Sequence, residues 1–217
     1  MCLTKTHYDI MIMTDSPESL TIQELYDYLR SDQFLKADGN IFYNYYIYQY
    51  QASKEYLMRR QILEFKQKLE CPAPFVDALV LDLFTVFCDY LRSQKFGPVS
   101  LLDDTFDGDK THPDMVTTEL TSEANSDAFV YYVNQLIEEH INANNGYKHP
   151  YIFVHGIGKM FPYLRTNVFL TKYEKYNDTS RYKIILFYPG HQVGNSFSLF
   201  DTLEDAHTYR AILLVNK

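Results

Sequence analysis

The fold is decided by one stretch in the second half of the chain, Tyr151-Ile-Phe-Val-His-Gly-Ile-Gly-Lys-Met-Phe-Pro-Tyr-Leu-Arg165. Its first residues, Ile152 to Val154, favour a strand. Gly156 and Gly158 follow at once and can adopt backbone angles that other residues resist, which predicts a tight turn. The pattern beyond them predicts a helix over 160–176. Strand, turn and helix in this order are typical of α/β proteins, in which functional residues often lie at such turns.

The rest of the chain repeats this alternation of strands and helices. Apolar runs rich in β-branched and aromatic residues predict strands near 41, 76, 151, 183, 196 and 210. Amphipathic patterns predict helices over 21–31, 53–69, 85–92 and 128–143. We expect a single three-layer α/β domain with a mostly parallel sheet, helices on both faces and one or two antiparallel strands near the C-terminus. Such a domain would look like a P-loop core without its phosphate loop.

The same pattern sets the expected boundaries of the domain. Residues 1–18 show no period and are expected to be an N-terminal extension, which leaves 19–217 for the α/β domain. Residues 97–125 are acidic, and Gly, Pro and Asp recur through them. This composition predicts a long irregular loop with one short helix at most.

Composition excludes several classes of function. The formal net charge of −8 argues against direct DNA binding, because such binding depends on cationic contacts to phosphates. The three cysteines are widely spaced and predict neither a disulfide framework nor a zinc site. No stretch approaches the roughly 20 apolar residues of a membrane span, and no signal-peptide pattern is present, so we expect a cytoplasmic protein. The 20 Tyr and 15 Phe residues suit protein interfaces as well as a core.

Three blocks of the sequence resemble the BrxB family, small accessory proteins of BREX bacteriophage-exclusion systems. The blocks are His155 to Arg165, Ile185 to Gly190 with Ser196 to Phe200 close behind, and Tyr209 to Ala211. The sequence departs from the family pattern at Thr208, where Tyr is expected, at Asp201, where Gly is usual, and in the acidic segment. The resemblance implies a defence component that works in a multiprotein assembly, with a PglZ-type phosphatase-domain protein as the direct partner. It implies no catalytic residues.

The Gly156–Lys159 turn also invites a phosphate-binding interpretation, because helix N-terminal amides and a lysine attract anions. The spacing does not match a Walker loop, since Met160 stands where Ser or Thr would be needed. It does not match a dinucleotide motif either, since position 161 is Phe. Packing of the turn against the sheet is the favoured interpretation. A nucleotide- or phosphate-binding enzyme that uses this turn stays the alternative.

Two acidic residues, Asp77 and Asp82, flank the predicted strand near 76. Because buried acids are seldom unpaired, pairing with Arg165 or Lys159 is favoured over metal binding. Arg165 is expected to lie one helical turn beyond Phe161 and to form an intramolecular salt bridge, for example with Asp82. A carboxylate of a partner protein or a backbone carbonyl is the alternative.

Two histidines, His155 and His191, end predicted strands and would lie near each other if the strands near 151 and 183 are neighbours. A metal site or an acid–base pair is one interpretation, and separate structural or surface roles are the favoured one. The aromatic strand over 41–50 is expected to be mostly core, with some rings open to a partner if the strand lies at a sheet edge.

We therefore interpret the sequence as that of a non-catalytic adaptor in a BREX-like anti-phage defence complex, acting through protein–protein contacts. No catalytic, cofactor-binding or metal-binding residue is assigned, and no small-molecule ligand or membrane contact is expected. The candidate functional or structural residues surround the glycine turn and the neighbouring strand ends: His155, Gly156, Gly158, Lys159, Phe161, Pro162, Arg165, Pro189, Gly190, His191, Tyr209 and Arg210.

Overall fold

The computed structural model describes residues 21–31, 34, 45–71, 75–143, 150–193, 196–204 and 211–214. The helices are α1 Ile22–Leu29, α2 Glu55–Glu70, α3 Leu83–Ser93, α4 Leu101–Asp109, α5 Pro113–Ala124, α6 Asp127–Ala143, α7 Ile157–Met160 and α8 Thr166–Tyr173. The strands are β1 Tyr45–Tyr50, β2 Ala78–Asp82, β3 Lys95–Phe96, β4 Val99–Ser100, β5 Tyr151–His155, β6 Lys183–Val193, β7 Ser196–Leu199, β8 Leu203–Glu204 and β9 Ala211–Leu213.

The central sheet has the strand order β2-β5-β6-β1-β9, and all four pairings along it are parallel. Strands buried on both faces read as continuous apolar runs, which is why β6 was visible in the sequence. The predicted α/β class and the mostly parallel sheet are confirmed.

Helices cover both faces of this sheet, as predicted. Because side chains alternate along a strand, Tyr46, Tyr48 and Tyr50 of β1 face one way and pack with α1 and α2. Tyr45 and Ile47 face the other way and pack with α3, α4, α6 and α8. The two cores therefore lie on opposite sides of one sheet.

Strand β1 is an interior strand, because it pairs with β6 on one side and β9 on the other. All six of its residues are buried. The hydroxyl of Tyr45 donates to the carbonyl of Leu170 at 2.9 Å, so this polar group is satisfied inside the protein. The hypothesis that the aromatic strand meets a partner as a sheet edge is therefore wrong. Residues 41–44 of the predicted strand lie outside the described residues.

Most of the acidic segment over 97–125 forms the two helices α4 and α5, which corrects the predicted irregular loop. Ser100 caps α4 by accepting a hydrogen bond from the Asp103 amide at 3.2 Å. Pro113 begins α5, where its missing amide proton costs nothing. These local start signals outweigh the Gly and Asp residues that suggested a loop, because acidic side chains favour the first turn of a helix.

The single helix predicted over 160–176 is also wrong, because two helices occupy this region. Phe161 ends α7 in an extended conformation with ψ 135°. Pro162 explains the break, since a residue before proline is disfavoured in the helical conformation. Arg165 precedes α8 as its N-terminal cap residue, so it does not lie one turn beyond Phe161 in a continuous helix.

Strand β6 continues past Pro189 to Val193 and leaves the central sheet. Its last four residues pair antiparallel with β7, which in turn pairs antiparallel with β8. The antiparallel strands predicted near the C-terminus are therefore confirmed, whereas the predicted strand end at His191 is wrong, because β6 runs on to Val193. The segment near 210 forms β9 and runs parallel to β1.

Candidate functional site

Charged side chains converge where the central strands end at the carboxyl edge of the sheet. Asp82, the last residue of β2, lies beside His155, the last residue of β5. Lys159 of α7 and Arg59 of α2 reach the Asp82 carboxylate. Tyr50, which ends β1, and Glu55, which begins α2, lie at the same edge. We call Tyr50, Glu55, Arg59, Asp82, His155 and Lys159 the strand-end cluster.

Asp82 is the centre of this cluster. Its carboxylate accepts a hydrogen bond from Lys159 Nζ, lies 3.6 Å from Arg59 Nη2, and caps α3 by accepting from the Thr85 amide at 3.4 Å. Burial raises the pKa of Asp82, but the hydrogen bond from Lys159 and the neighbouring positive charges outweigh burial and lower the pKa overall. The predicted pairing of Asp82 with Lys159 is confirmed, and the predicted pairing with Arg165 is wrong.

Gly156 is required by this ion pair. Its φ of +75° lies in the left-handed region, where a side chain is strained. A Cβ at this position would also collide with the Asp82 carboxylate and would approach Lys159 Cε to 2.9 Å. Gly156 therefore leaves the space beside the turn after β5 that the Asp82 carboxylate of β2 occupies.

His155 is 6% exposed and lies next to Asp82. Burial lowers the pKa of His155 to about 4, although the Asp82 carboxylate acts in the opposite direction. The imidazole is therefore neutral near pH 7. Its Nδ1 lies 4.0 Å from Asp82 Oδ2, too far for a hydrogen bond, and accepts or donates none within the described part of the chain.

Tyr50 and Glu55 form the other end of the strand-end cluster. The Tyr50 hydroxyl donates to Glu55 Oε2, and burial together with the Glu55 carboxylate raises the pKa of Tyr50. Glu55 Oε1 is buried and has no hydrogen-bond partner among the described residues. Sequence reasoning missed Tyr50, Glu55 and Arg59. The sequence did contain a signal for these residues. Tyr50 ends a strand, and Glu55 and Arg59 follow it four residues apart, a spacing that places both on one face of a helix.

Gly158 brings together two blocks that are distant in sequence. A Cβ at Gly158 would lie 2.6 Å from the Phe200 ring and 3.1 Å from Pro189 Cγ. The amide of Phe200 donates to the carbonyl of Pro189 at 2.8 Å, which fixes the ring over the glycine. On the other side of the turn, the guanidinium of Arg165 lies 5.0 Å from the centre of the Phe161 ring. These residues pack the turn against β6 near the point where that strand leaves the central sheet.

Gly190 and His191 lie where β6 meets β7. Gly190 has a φ of +154°, and a Cβ there would overlap the carbonyl oxygen of Ser198. His191 Nδ1 lies 2.6 Å from Asp201 Oδ1. Asp201 has a φ of +60°, in the region that favours glycine, and Asp is among the residues that tolerate it best. The aspartate that departs from the family pattern is thus paired with a histidine of the neighbouring strand.

The two candidate histidines do not meet. Val154 is level with Leu186 in the β5–β6 register, so His191 lies four residues further along β6 than the position beside His155. This separation is about 13 Å along the strand. The region covered by the structure contains no group of three or more His, Cys, Asp or Glu residues placed to hold a metal ion. Asp77 binds His140 instead, with 2.8 Å between Oδ2 and Nε2.

Charge at the edge of the sheet is balanced, with Arg59 and Lys159 opposite Glu55 and Asp82. An anion bound at the Gly156 turn would lie against the negatively charged Asp82 carboxylate. The helix that begins at this turn, α7, has only four residues. Both features disfavour phosphate binding at the turn. The turn between β1 and α2, residues 51–54, contains no glycine.

Tyr209 and Arg210 lie outside the described residues. No helix in the described ranges has both the length and the hydropathy needed to cross a membrane.

Comparison with known proteins identifies the family of the chain. The protein-family model described as "BREX protein BrxB" matches residues 79–214. A protein of Bacillus cereus (strain H3081.97) named "BREX protein BrxB" is 23% identical over 173 residues, which cover 80% of this chain and 84% of that protein. No solved structure gives a significant match. The chain belongs to the BrxB family of BREX phage-defence systems.

Proposed function

We propose that the protein is a non-catalytic adaptor that assembles a BREX-type anti-phage complex in the cytoplasm through protein–protein contacts. Its direct partner in this proposal is a PglZ-type phosphatase-domain protein, as the sequence resemblance implies. Family membership supports the defence context.

The observation that carries the adaptor role is the outer face of α2. Met58, Ile62, Phe65 and Leu69 face the sheet and are buried. On the outer side, Tyr56 is 85% exposed and Leu63 is 54% exposed. Arg60 lies between them at helical spacing, so the three side chains form one stripe. We call these three residues the α2 stripe. An exposed tyrosine and leucine on either side of an arginine suit contact with a second protein, because Tyr and Arg dominate interface energetics.

The strand-end cluster supports a structural role for the glycine turn. Lys159 is held by Asp82, and Asp82 also caps α3. The positions that Cβ atoms would take at Gly156 and Gly158 are filled by Asp82 and Phe200. The Asp82–Lys159 ion pair and the close packing at Gly156 and Gly158 therefore hold the turn against β2 and β6.

The adaptor proposal is tested by affinity purification from cells that carry the whole defence locus. We expect the tagged protein to recover the phosphatase-domain protein, and we expect Tyr56→Ala with Leu63→Ala to reduce its recovery about tenfold or more. Tyr131→Ala, at another exposed tyrosine, is the matched control and should leave recovery unchanged. Recovery of no other defence component by the tagged wild-type protein would exclude the adaptor role.

The enzyme alternative is tested separately by calorimetry with ATP, GTP and magnesium. We expect no heat of binding, because Lys159 is occupied by Asp82 and the turn is closed by packing. Nucleotide binding that Lys159→Ala abolishes, in a variant with an unchanged circular-dichroism spectrum, would replace the adaptor proposal with an enzymatic one.

A further inference from the structure

Most of the negative charge of the protein is concentrated in one helical segment. Residues 97–125 contain seven acidic residues and one lysine, a formal charge of −6, whereas the whole chain carries −8. This segment forms α4 and α5. Of its carboxylates, Asp103, Asp104, Asp109, Asp114 and Glu119 are all exposed.

Large apolar side chains stand among these carboxylates. Phe106 of α4 is 63% exposed, and Met115 of α5 is 69% exposed. Asp103 and Asp109 lie three residues to either side of Phe106, and Glu119 lies four residues after Met115. Residues at these spacings are neighbours on a helix surface, so each apolar side chain is flanked by carboxylates.

Phe106 and Met115 belong to two helices that contact each other, since a Cβ on Gly108 of α4 would be 3.1 Å from Val116 Cγ2 of α5. Phe106 is two residues from Gly108, so it lies on the side of α4 away from this contact, and it is exposed there. We call Asp103, Phe106, Asp109, Met115 and Glu119 the acidic surface.

The fold does not use the acidic surface for its own core. α4 buries Leu101, Leu102 and Thr105, and α5 buries Val116 and Ala124. The one basic side chain of the segment, Lys110, follows α4 and pairs with Asp107 of that helix. Asp109 and Glu119 have no ion pair within the described ranges. Exposed Phe and Met side chains surrounded by unneutralised carboxylates are typical of a surface that a cationic partner covers.

We propose that the acidic surface docks a partner protein whose own surface places lysine and arginine side chains around apolar pockets. The pockets take Phe106 and Met115, and the cations pair with Asp103, Asp109 and Glu119. Charge complementarity selects this occupant, because phosphate-bearing partners such as nucleic acid are repelled by a surface of the same sign.

This proposal deepens the adaptor role and rests on it. The α2 stripe lies outside the core that packs on Tyr46 and Tyr48, whereas α4 belongs to the core on the opposite face of the sheet. The two surfaces therefore belong to helices on opposite faces of the sheet. One protein molecule has room to hold two different partners at once, which is what a bridging component requires.

The test is zero-length carbodiimide cross-linking of the tagged full-length chain, purified with its partners from cells that carry the whole defence locus. The reagent joins a carboxylate to a lysine in direct contact with it. We expect Asp103, Asp109 or Glu119 to be joined to lysines of another defence protein. Phe106→Ser with Met115→Ser should reduce the recovery of that protein about tenfold or more. The matched control, Tyr131→Ser on α6, should leave recovery unchanged.

The outcomes separate this inference from the adaptor role. If other defence proteins are recovered but cross-link only outside residues 97–125, or if the double variant recovers them normally, the acidic surface is not a docking site and the adaptor role stands. Links only to a second copy of this chain, or recovery that is lost on nuclease treatment, would also overturn the inference. If no defence protein is recovered at all, both proposals are overturned.

Discussion

Lys159 donates a hydrogen bond to the carboxylate of Asp82, although 77 residues separate the two in sequence. Asp82 ends β2 and caps α3, and Lys159 lies in the short helix after β5. The ion pair therefore joins the carboxyl ends of two adjacent parallel strands to the helices that leave them. Because the carboxylate is mostly buried, its loss of hydration must be offset by the lysine and by Arg59.

Replacing Lys159 by methionine tests the strength of this connection. Lys159→Met leaves the Asp82 carboxylate without its closest cation, so we expect the free energy of unfolding to fall by about 1–3 kcal/mol. Urea denaturation followed by circular dichroism measures the change. Lys110→Met, which breaks an exposed lysine–aspartate pair at the C-terminal end of α4, should leave the unfolding midpoint unchanged. Equal midpoints for the wild type and Lys159→Met would contradict the assigned role.

A double-mutant cycle separates the ion pair from other effects of the lysine. Asp82→Asn removes the buried charge that Lys159 neutralises. We expect the double variant Asp82→Asn with Lys159→Met to lose less stability than the sum of the two single variants, by about 0.5–3 kcal/mol, since the residues are in contact. Additive losses would show that the two side chains stabilise the fold independently.

His155 predicts how stability depends on pH. Its pKa is about 4 in the folded protein, against 6.5 for an ordinary histidine. Between these values the unfolded chain binds a proton that the folded protein does not, so stability falls as the pH is lowered from about 6.5 to about 4. The complete shift corresponds to about 3 kcal/mol. Asp82 affects stability at lower pH. Its pKa is lowered from 3.8 in the folded protein, so its contribution to the free energy of unfolding is lost only as the pH falls below 3.8.

The pH prediction is measured by urea denaturation at a series of pH values between 4 and 7. We expect His155→Gln to flatten the dependence in this window, since glutamine does not titrate. His112→Gln, at an exposed position, should keep the slope of the wild type. A slope that His155→Gln leaves unaltered would assign the pH dependence to other groups.

Gly156→Ala and Gly97→Ala form a matched pair, because both glycines have positive φ angles, +75° and +66°. A Cβ at Gly97 would meet nothing within 4 Å, whereas a Cβ at Gly156 would collide with the Asp82 carboxylate. Gly97→Ala therefore costs only backbone strain, about 1–2 kcal/mol. We expect Gly156→Ala to lower the unfolding free energy by about 1–3 kcal/mol more. Similar losses for both variants would mean that the space beside Asp82 is not restricted.

Gly158→Ala tests the contact between the turn and the end of β7. The added Cβ would lie 2.6 Å from the Phe200 ring, so we expect a loss of about 1–3 kcal/mol. Phe200→Leu removes the ring edge and should relieve the clash, so that the double variant is more stable than the summed losses predict. Thermal unfolding of the four proteins measures this coupling.

Parts of the fold were readable because their signals are local. The capping box that begins α1 requires only Thr21 and Glu24, which exchange hydrogen bonds within one turn of helix. The apolar runs of β5 and β6 identified buried parallel strands for the same reason. Two local predictions failed where competing signals met. In the acidic, glycine-containing segment, Ser100 and Pro113 begin helices where a loop was predicted. Pro162 ends one helix and separates it from the next, where the apolar pattern predicted one continuous helix.

By itself, the sequence determined the α/β class and the glycine turn, and it left Arg165 and Lys159 as alternative partners of Asp82. The tertiary structure pairs Asp82 with Lys159. The order β2-β5-β6-β1-β9 decided the rest, because it brings together residues that no local pattern relates. It placed β1 inside the sheet, set Tyr50, Glu55 and Arg59 beside Asp82, and separated His155 from His191. Backbone propensities and caps act over a few residues, whereas the partners of buried charges and the exposure of Tyr56 or Phe106 depend on how distant elements pack.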